Sequence, residues 1–102
     1  MVKENSLKFF KNKKIFITGH TGFKGSWLSF ILDFYGANVK GFSKKPNTKP
    51  NLFDNLTFSK NFNSVIGDIK NYALLKKEIL NFKPDFIFHL AAQPIVIESY
   101  KD

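Results

Sequence analysis

The sequence predicts an α/β fold, the first half of a doubly wound parallel sheet with strand order 3-2-1-4 and without its fifth and sixth strands. Three observations carry this. Short β-branched and aromatic runs alternate with longer stretches of helical periodicity. Gly, Pro and Asn punctuate them where turns and caps need those residues. The resulting order, β-α-β-(α)-β-α-β, implies parallel strands joined by right-handed crossovers.

The first strand is Lys13–Thr18, KKIFIT, a β-branched and aromatic run that ends at a glycine turn as a buried parallel strand should. After the turn, Trp27, Leu28, Ile31, Leu32 and Tyr35 recur at helical spacing. Phe30 and Phe34 widen that stripe, and Gly36 sits where a left-handed cap would end the helix. Ala37–Phe42, ANVKGF, reads as a second strand, followed by the Lys/Pro/Asn-rich stretch Ser43–Asn51, whose two prolines predict a surface loop. Leu52–Ser59 is ambiguous between a loop and one helical turn, and Asn63–Ile66 starts a third strand that ends at Gly67-Asp68. Asn71 can cap a second long helix with Tyr72, Leu75, Ile79 and Phe82 on its inner face. Lys83-Pro84 stops that helix before a fourth strand, Asp85–Leu90. Residues 1–12 precede this pattern as an N-terminal extension, and 13–102 form one incomplete domain with no internal repeat.

Composition removes several classes. The 102 residues are 43% hydrophobic with 13 Phe, which is globular and not disordered. Cysteine is absent, so neither a disulfide nor a thiolate metal site holds the chain, and no metal ligand set is expected. No apolar run approaches the roughly 20 residues that span a bilayer, and the five Lys of Met1–Lys14 flank only a short apolar patch. Neither a membrane span nor a signal peptide is expected, and a cytoplasmic location fits. The net charge of +8 sits in the front half, where ten Lys of Met1–Asn51 face Glu4 and Asp33. All 16 basic residues are Lys, so the bidentate Arg that reads guanine is missing and a nucleic-acid partner is not expected. A Lys-rich nucleic-acid module is therefore the weakest of the readings: a solvated Lys- and Asn-rich surface accounts for the charge first, and steering of an anionic nucleotide second.

The chemistry lies in Thr18-Gly19-His20-Thr21-Gly22-Phe23-Lys24-Gly25-Ser26, between a strand and an amphipathic helix, the context that a dinucleotide fingerprint requires. Gly19 permits the tight turn, Gly22 lets backbone approach a pyrophosphate, and Gly25 lets the helix pack closely on the sheet. The helix N-terminus offers unpaired N–H groups and the positive end of its dipole, so Phe23 and Lys24 are expected to act through backbone donors. The fold expected is thus the Rossmann type.

The spacing G-x-x-G-x-x-G resembles that of the extended short-chain dehydrogenase/reductase superfamily. GHTGFKGSWL at Gly19–Leu28, GDI at Gly67–Ile69 and FHLAAQP at Phe88–Pro94 together resemble the CDP-glucose 4,6-dehydratases, within its nucleotide-sugar dehydratase and epimerase group. The resemblance covers Lys13–Tyr100. It implies that Gly19, Thr21, Gly22, Phe23, Lys24 and Gly25 surround the pyrophosphate. It also implies that Asp68 and the Ile69 backbone meet the adenine, and that Leu90, Ala91, Ala92 and Gln93 line the cofactor beside the fourth strand. The cofactor implied is NAD, which oxidises the sugar at C4, permits loss of water across C5 and C6, and returns the hydride to C6. A 4-keto-6-deoxy sugar nucleotide, a precursor for surface polysaccharide, would result from a homo-oligomeric enzyme.

One position departs from the general dinucleotide pattern. The acid expected about 20 residues after the turn, on the ribose 2′-hydroxyl, is replaced by Ser43, with Lys44 and Lys45 following. Those lysines suit the 2′-phosphate of NADP, but the dehydratases that the sequence resembles use NAD and often lack the acid at this place, so the resemblance favours NAD while NADP stays open. The family's Tyr-x-x-x-Lys catalytic pair has a match at Tyr72–Lys76, but the family's pair follows a fifth strand. Tyr72 precedes the fourth and is expected to face the core. His20 and His89 are not spaced as ligands or as a catalytic pair. No catalytic residue is therefore assigned, and the resemblance implies that the catalytic groups lie beyond Asp102, leaving this part inactive alone. A nucleotide-sugar epimerase, another dehydratase of the group, and a non-catalytic dinucleotide sensor are the competing readings.

Overall fold

The computed structural model describes residues 8–45 and 52–91. Four strands form one sheet in the order β3-β2-β1-β4. They are β1 (Lys14–Thr18), β2 (Asn38–Ser43), β3 (Asn63–Ile66) and β4 (Phe86–His89). Every pairing is parallel. Among the described residues three helices connect them: α1 (Phe23–Phe34), the single turn α2 (Leu52–Asn55) and α3 (Tyr72–Phe82). The predicted topology is therefore present, with strand ends moved by a residue or two. Ser43 closes β2 and does not open the loop, and the ambiguous stretch holds α2 in its first four residues.

The central strand β1 is buried on both faces, and its alternation sorts the core into two layers. Ile15 and Ile17 join Leu32, Ala37 and Val39 on the α1 side. Phe16 points the other way, to Phe42, Ile69, Leu75 and Ile79 under α3. The end of the N-terminal extension packs on the first layer: Phe10 meets Phe86 and Phe88 edge to face, and the Asn12 N–H donates to Gly36 O. Gly36, at φ +92°, ends α1 in the left-handed region as the sequence predicts.

The expected stripe of α1 is present in Leu32, with Leu28, Ile31 and Tyr35 packed partly against the same layer, but not at Trp27 and Phe34. The helix's buried residues are Gly25, Ser26, Ser29, Leu32 and Asp33, while Trp27 and Phe34 are 42% and 73% exposed. The helix lies so close to the strand ends that small side chains must face inward there. A Cβ on Gly25 would fall inside the van der Waals sphere of Gly19 O, and Ser26 Oγ donates to His20 O at 2.9 Å. Asp33 is buried for a different reason, because its carboxylate accepts from the N–H and the hydroxyl of Ser59 at 2.7 and 2.6 Å. The bulky aromatics turn outward and form a ladder of their own from Trp27 through Phe30 to Phe34.

Tyr72 also differs from the expectation of a core residue: it is 51% exposed. The face of α3 against the sheet is set by Leu75 and Ile79, with Phe82 packed partly against it. Tyr72 lies one turn before Leu75, at the first position of α3, where it overhangs the layer instead of entering it. Among the described residues no helix is long and apolar enough to cross a membrane.

Candidate functional site

Parallel strands end on the same edge of a sheet, and loops on that edge carry the ligand sites of open α/β folds. Register fixes which residues meet there. Thr18 of β1 lies beside Phe42 of β2 and His89 of β4, and Ser43 of β2 lies beside Ile66 of β3. The glycine turn, Ser43-Lys44, Gly67-Asp68 and Leu90-Ala91 follow these four ends, so the motifs separated in sequence gather along one edge.

The three glycines of the turn answer to different constraints. Gly19 has φ +83°, and a Cβ there would lie 2.7 Å from both Leu90 C and Ala91 N, so the chain after β4 packs directly on it. Gly25 is forced by the close approach of α1 to Gly19. Among the described residues nothing in the chain forces Gly22. Its φ of −75° suits any residue, it is exposed, and a Cβ would meet only Gly19 O, at an ordinary 3.5 Å. Gly22 is also the N-cap of α1, with no side-chain cap and no acid in the first turn. In α3, by contrast, Asn71 Oδ1 accepts from the Leu74 N–H at 3.2 Å. The open N-terminus of α1 therefore faces the strand-end edge with bare backbone. Phe23 is 70% exposed and Lys24 is exposed beside it.

His20 holds this turn in place. Its ring is fully buried, with Nε2 2.6 Å from Ser64 Oγ of β3 and its edge against Phe53 of α2. Gly41 makes room, because a Cβ there would collide with the imidazole. Burial pushes the His20 pKa down to about 4, so the ring is neutral at pH 7. The sequence assigns His20 no catalytic role; in the fold the ring is enclosed and supports the turn. What sequence reasoning missed is its partnership with Gly41 and Ser64, for which the lone glycine inside β2 was the available signal.

Thr21 links the turn to the end of β2. Its hydroxyl donates to Lys44 O at 2.9 Å and lies 2.8 Å from Ser43 Oγ. Across the β2–β3 boundary the Gly67 N–H donates to Ser43 O at 2.9 Å. Asp68 then divides its carboxylate: Oδ1 accepts from the Lys70 N–H at 2.9 Å, and Oδ2 lies 3.4 Å from Lys44 Nζ. That backbone N–H and then the Lys44 ammonium hold the Asp68 carboxyl below the usual aspartate range. The Ile69 side chain is buried under α3, which leaves its backbone as the part able to meet a ligand. Leu90 is 41% exposed beside Gly19. Ala92 and Gln93 lie outside the described residues.

Residues 16–102 match the family described as GDP-mannose 4,6 dehydratase. The chain is 47% identical over 93 residues, 91% of its length, to CDP-glucose 4,6-dehydratase of Salmonella typhimurium. The match takes in 26% of that protein, so the chain spans about a quarter of the curated relative's length. Among solved structures it is similar to an epimerase from Methanothermobacter thermautotrophicus, at TM-score 0.72 and 31% identity over 87% of this chain and 25% of that one. An enzyme of Bordetella bronchiseptica in complex with NAD+ aligns at TM-score 0.67 and 30% identity over 87% and 29% of the two chains. dTDP-glucose 4,6-dehydratase from Bacillus anthracis, in complex with NAD, aligns at TM-score 0.63 and 27% identity over 79% and 27%.

Proposed function

The chain belongs to the GDP-mannose 4,6 dehydratase family, and from that premise we propose that it is the dinucleotide-binding part of an NAD-dependent nucleotide-sugar 4,6-dehydratase acting on CDP-glucose. The observation that carries the binding role is Gly22, a glycine that neither backbone angle nor packing requires, at an uncapped helix N-terminus. A bare backbone in that place serves something outside the chain, and an anion is what unpaired N–H groups and a positive dipole end attract. The residues present fit a dinucleotide. The Gly22 N–H is taken by Gly19 O at 3.1 Å, so the backbone N–H groups of Phe23 and Lys24 hold the pyrophosphate over the bare Gly22, with the Lys24 ammonium adding charge, while Gly19 and Gly25 keep the turn tight enough to present it. Thr21 and Ser43 tie the turn to the ribose end, Asp68 and the Ile69 backbone meet the adenine, and Leu90 and Ala91 line the side toward β4. When bound, NAD supplies a hydride acceptor and donor; this chain's own residues bind and orient it.

CDP-glucose as the sugar nucleotide rests on the 47% identity to the Salmonella enzyme. A nucleotide-sugar epimerase is the second reading, favoured by the similarity to the Methanothermobacter epimerase at 31% identity. The test of binding is calorimetric titration of NAD into the chain and into Gly22→Val. Affinity should fall at least tenfold in the variant, with the helical signal largely retained and stability lowered only by the roughly 1 kcal/mol that Val costs at an N-cap. Equal affinity would remove the glycine turn from the site.

A further inference from the structure

We infer that Asp68 sets the choice between NAD and NADP by neutralising Lys44, the cation nearest the end of β2. The inference rests on the dinucleotide reading above and adds the discriminating pair to it. With no acid at Ser43, the strand end has no carboxylate of its own to repel a 2′-phosphate, and Lys44 and Lys45 follow at once. Taken alone, that pattern favours the phosphorylated cofactor. The sheet changes the balance. β2 and β3 are neighbours whose ends stand in register, Ser43 beside Ile66, so the turn after β3 brings Asp68 against the residue after Ser43. Lys44 Nζ lies 3.4 Å from Asp68 Oδ2, and Asp68 cannot easily turn away because the Lys70 N–H holds Oδ1 at 2.9 Å. The Lys44 backbone is anchored as well, through its carbonyl to the Thr21 hydroxyl. A 2′-phosphate arriving here would bring about two negative charges to a lysine that already has its counter-ion, and would face the carboxylate as well. A 2′-hydroxyl has no such conflict and finds the Ser43 and Thr21 hydroxyls at the same strand end.

The experiment measures NAD and NADP dissociation constants by calorimetry for the chain, Asp68→Asn, Lys44→Gln and the double variant, at low and high salt. The ratio of the two constants is read, because any contact that Asp68 makes to adenine is lost equally for both dinucleotides. In Asp68→Asn the freed lysine should shift the ratio toward NADP by roughly fivefold at low salt, the upper range for one exposed ion pair, and salt should shrink the shift. Replacing Lys44 as well should return the ratio to within about twofold of the parent's, since an uncharged side chain leaves nothing for Asp68 to neutralise. A ratio unmoved by Asp68→Asn, or a shift that survives in the double variant, overturns the pairing while dinucleotide binding stands. If the unmodified chain binds neither dinucleotide, the binding role itself fails and this inference with it.

Discussion

A histidine in a glycine-rich turn that faces a ligand would ordinarily be solvated, and near neutral pH part of it would be charged. His20 is enclosed by Gly41, Ser64 and Phe53 and is held neutral, with its pKa pushed down to about 4 by burial. The unfolded chain binds a proton there from about pH 6.5 downward, whereas the folded chain resists it until about pH 4. Between those values the unfolded state holds more protons, so stability rises with pH across the window and is lost as pH falls through it. The contribution at stake is about 3 kcal/mol. Urea unfolding across this range should show the slope in the parent and a flattened one in His20→Asn, which does not titrate; matching slopes would mean that His20 is not the group concerned. The sequence made the turn legible because its glycines are contiguous with it. The pocket that Gly41 leaves for His20 was not legible, because it joins residues 21 positions apart across a strand pairing.

At the scale of the element, α1 shows what periodicity can and cannot tell. The spacing of its apolar residues predicts a helix, and Phe23–Phe34 is one. Hydrophobicity alone then assigns Trp27 and Phe34 to the core side, where closeness to the strand ends admits Gly25, Ser26 and Ser29 instead. The inner face is chosen by how near the helix axis must come, and a count of apolar residues carries no term for that distance. Leu32, 1% exposed, is the large apolar side chain that remains fully inside. Leu32→Ala should cost about 2–5 kcal/mol of stability, while Phe34→Ser should change it by no more than about 0.5 kcal/mol. Chemical denaturation of both variants checks this, and a larger loss from Phe34→Ser would reinstate the aromatic stripe as the packing face. In α3 the same periodicity succeeded at Leu75 and Ile79 and failed at Tyr72, because a first-turn residue can lie beyond the layer that its helix covers.

For the whole molecule, strand order was legible because parallel alternation leaves few topologies, and that order delivers the separated motifs to one edge. The two lateral edges of the sheet, formed by β3 and β4, are less alike than the pattern suggested. β3 begins with Asn63 and Ser64, both exposed, and polar side chains of this kind discourage pairing with another chain. β4 is FIFH: Phe86 and Phe88 turn toward the α1 layer, where Phe10 covers them, while Ile87 is 46% exposed on the other face. Among the described residues β4 pairs on one side only, with β1, so its outer backbone groups and Ile87 together offer a template for a further strand. The chain should therefore associate as its concentration rises, and Ile87→Lys, which sets a charge on the half-exposed position, should suppress association without lowering the unfolding midpoint appreciably. Sedimentation equilibrium over a wide concentration range measures both proteins. A parent that stays monomeric throughout, or a variant that associates as strongly as the parent, would place any self-contact away from β4.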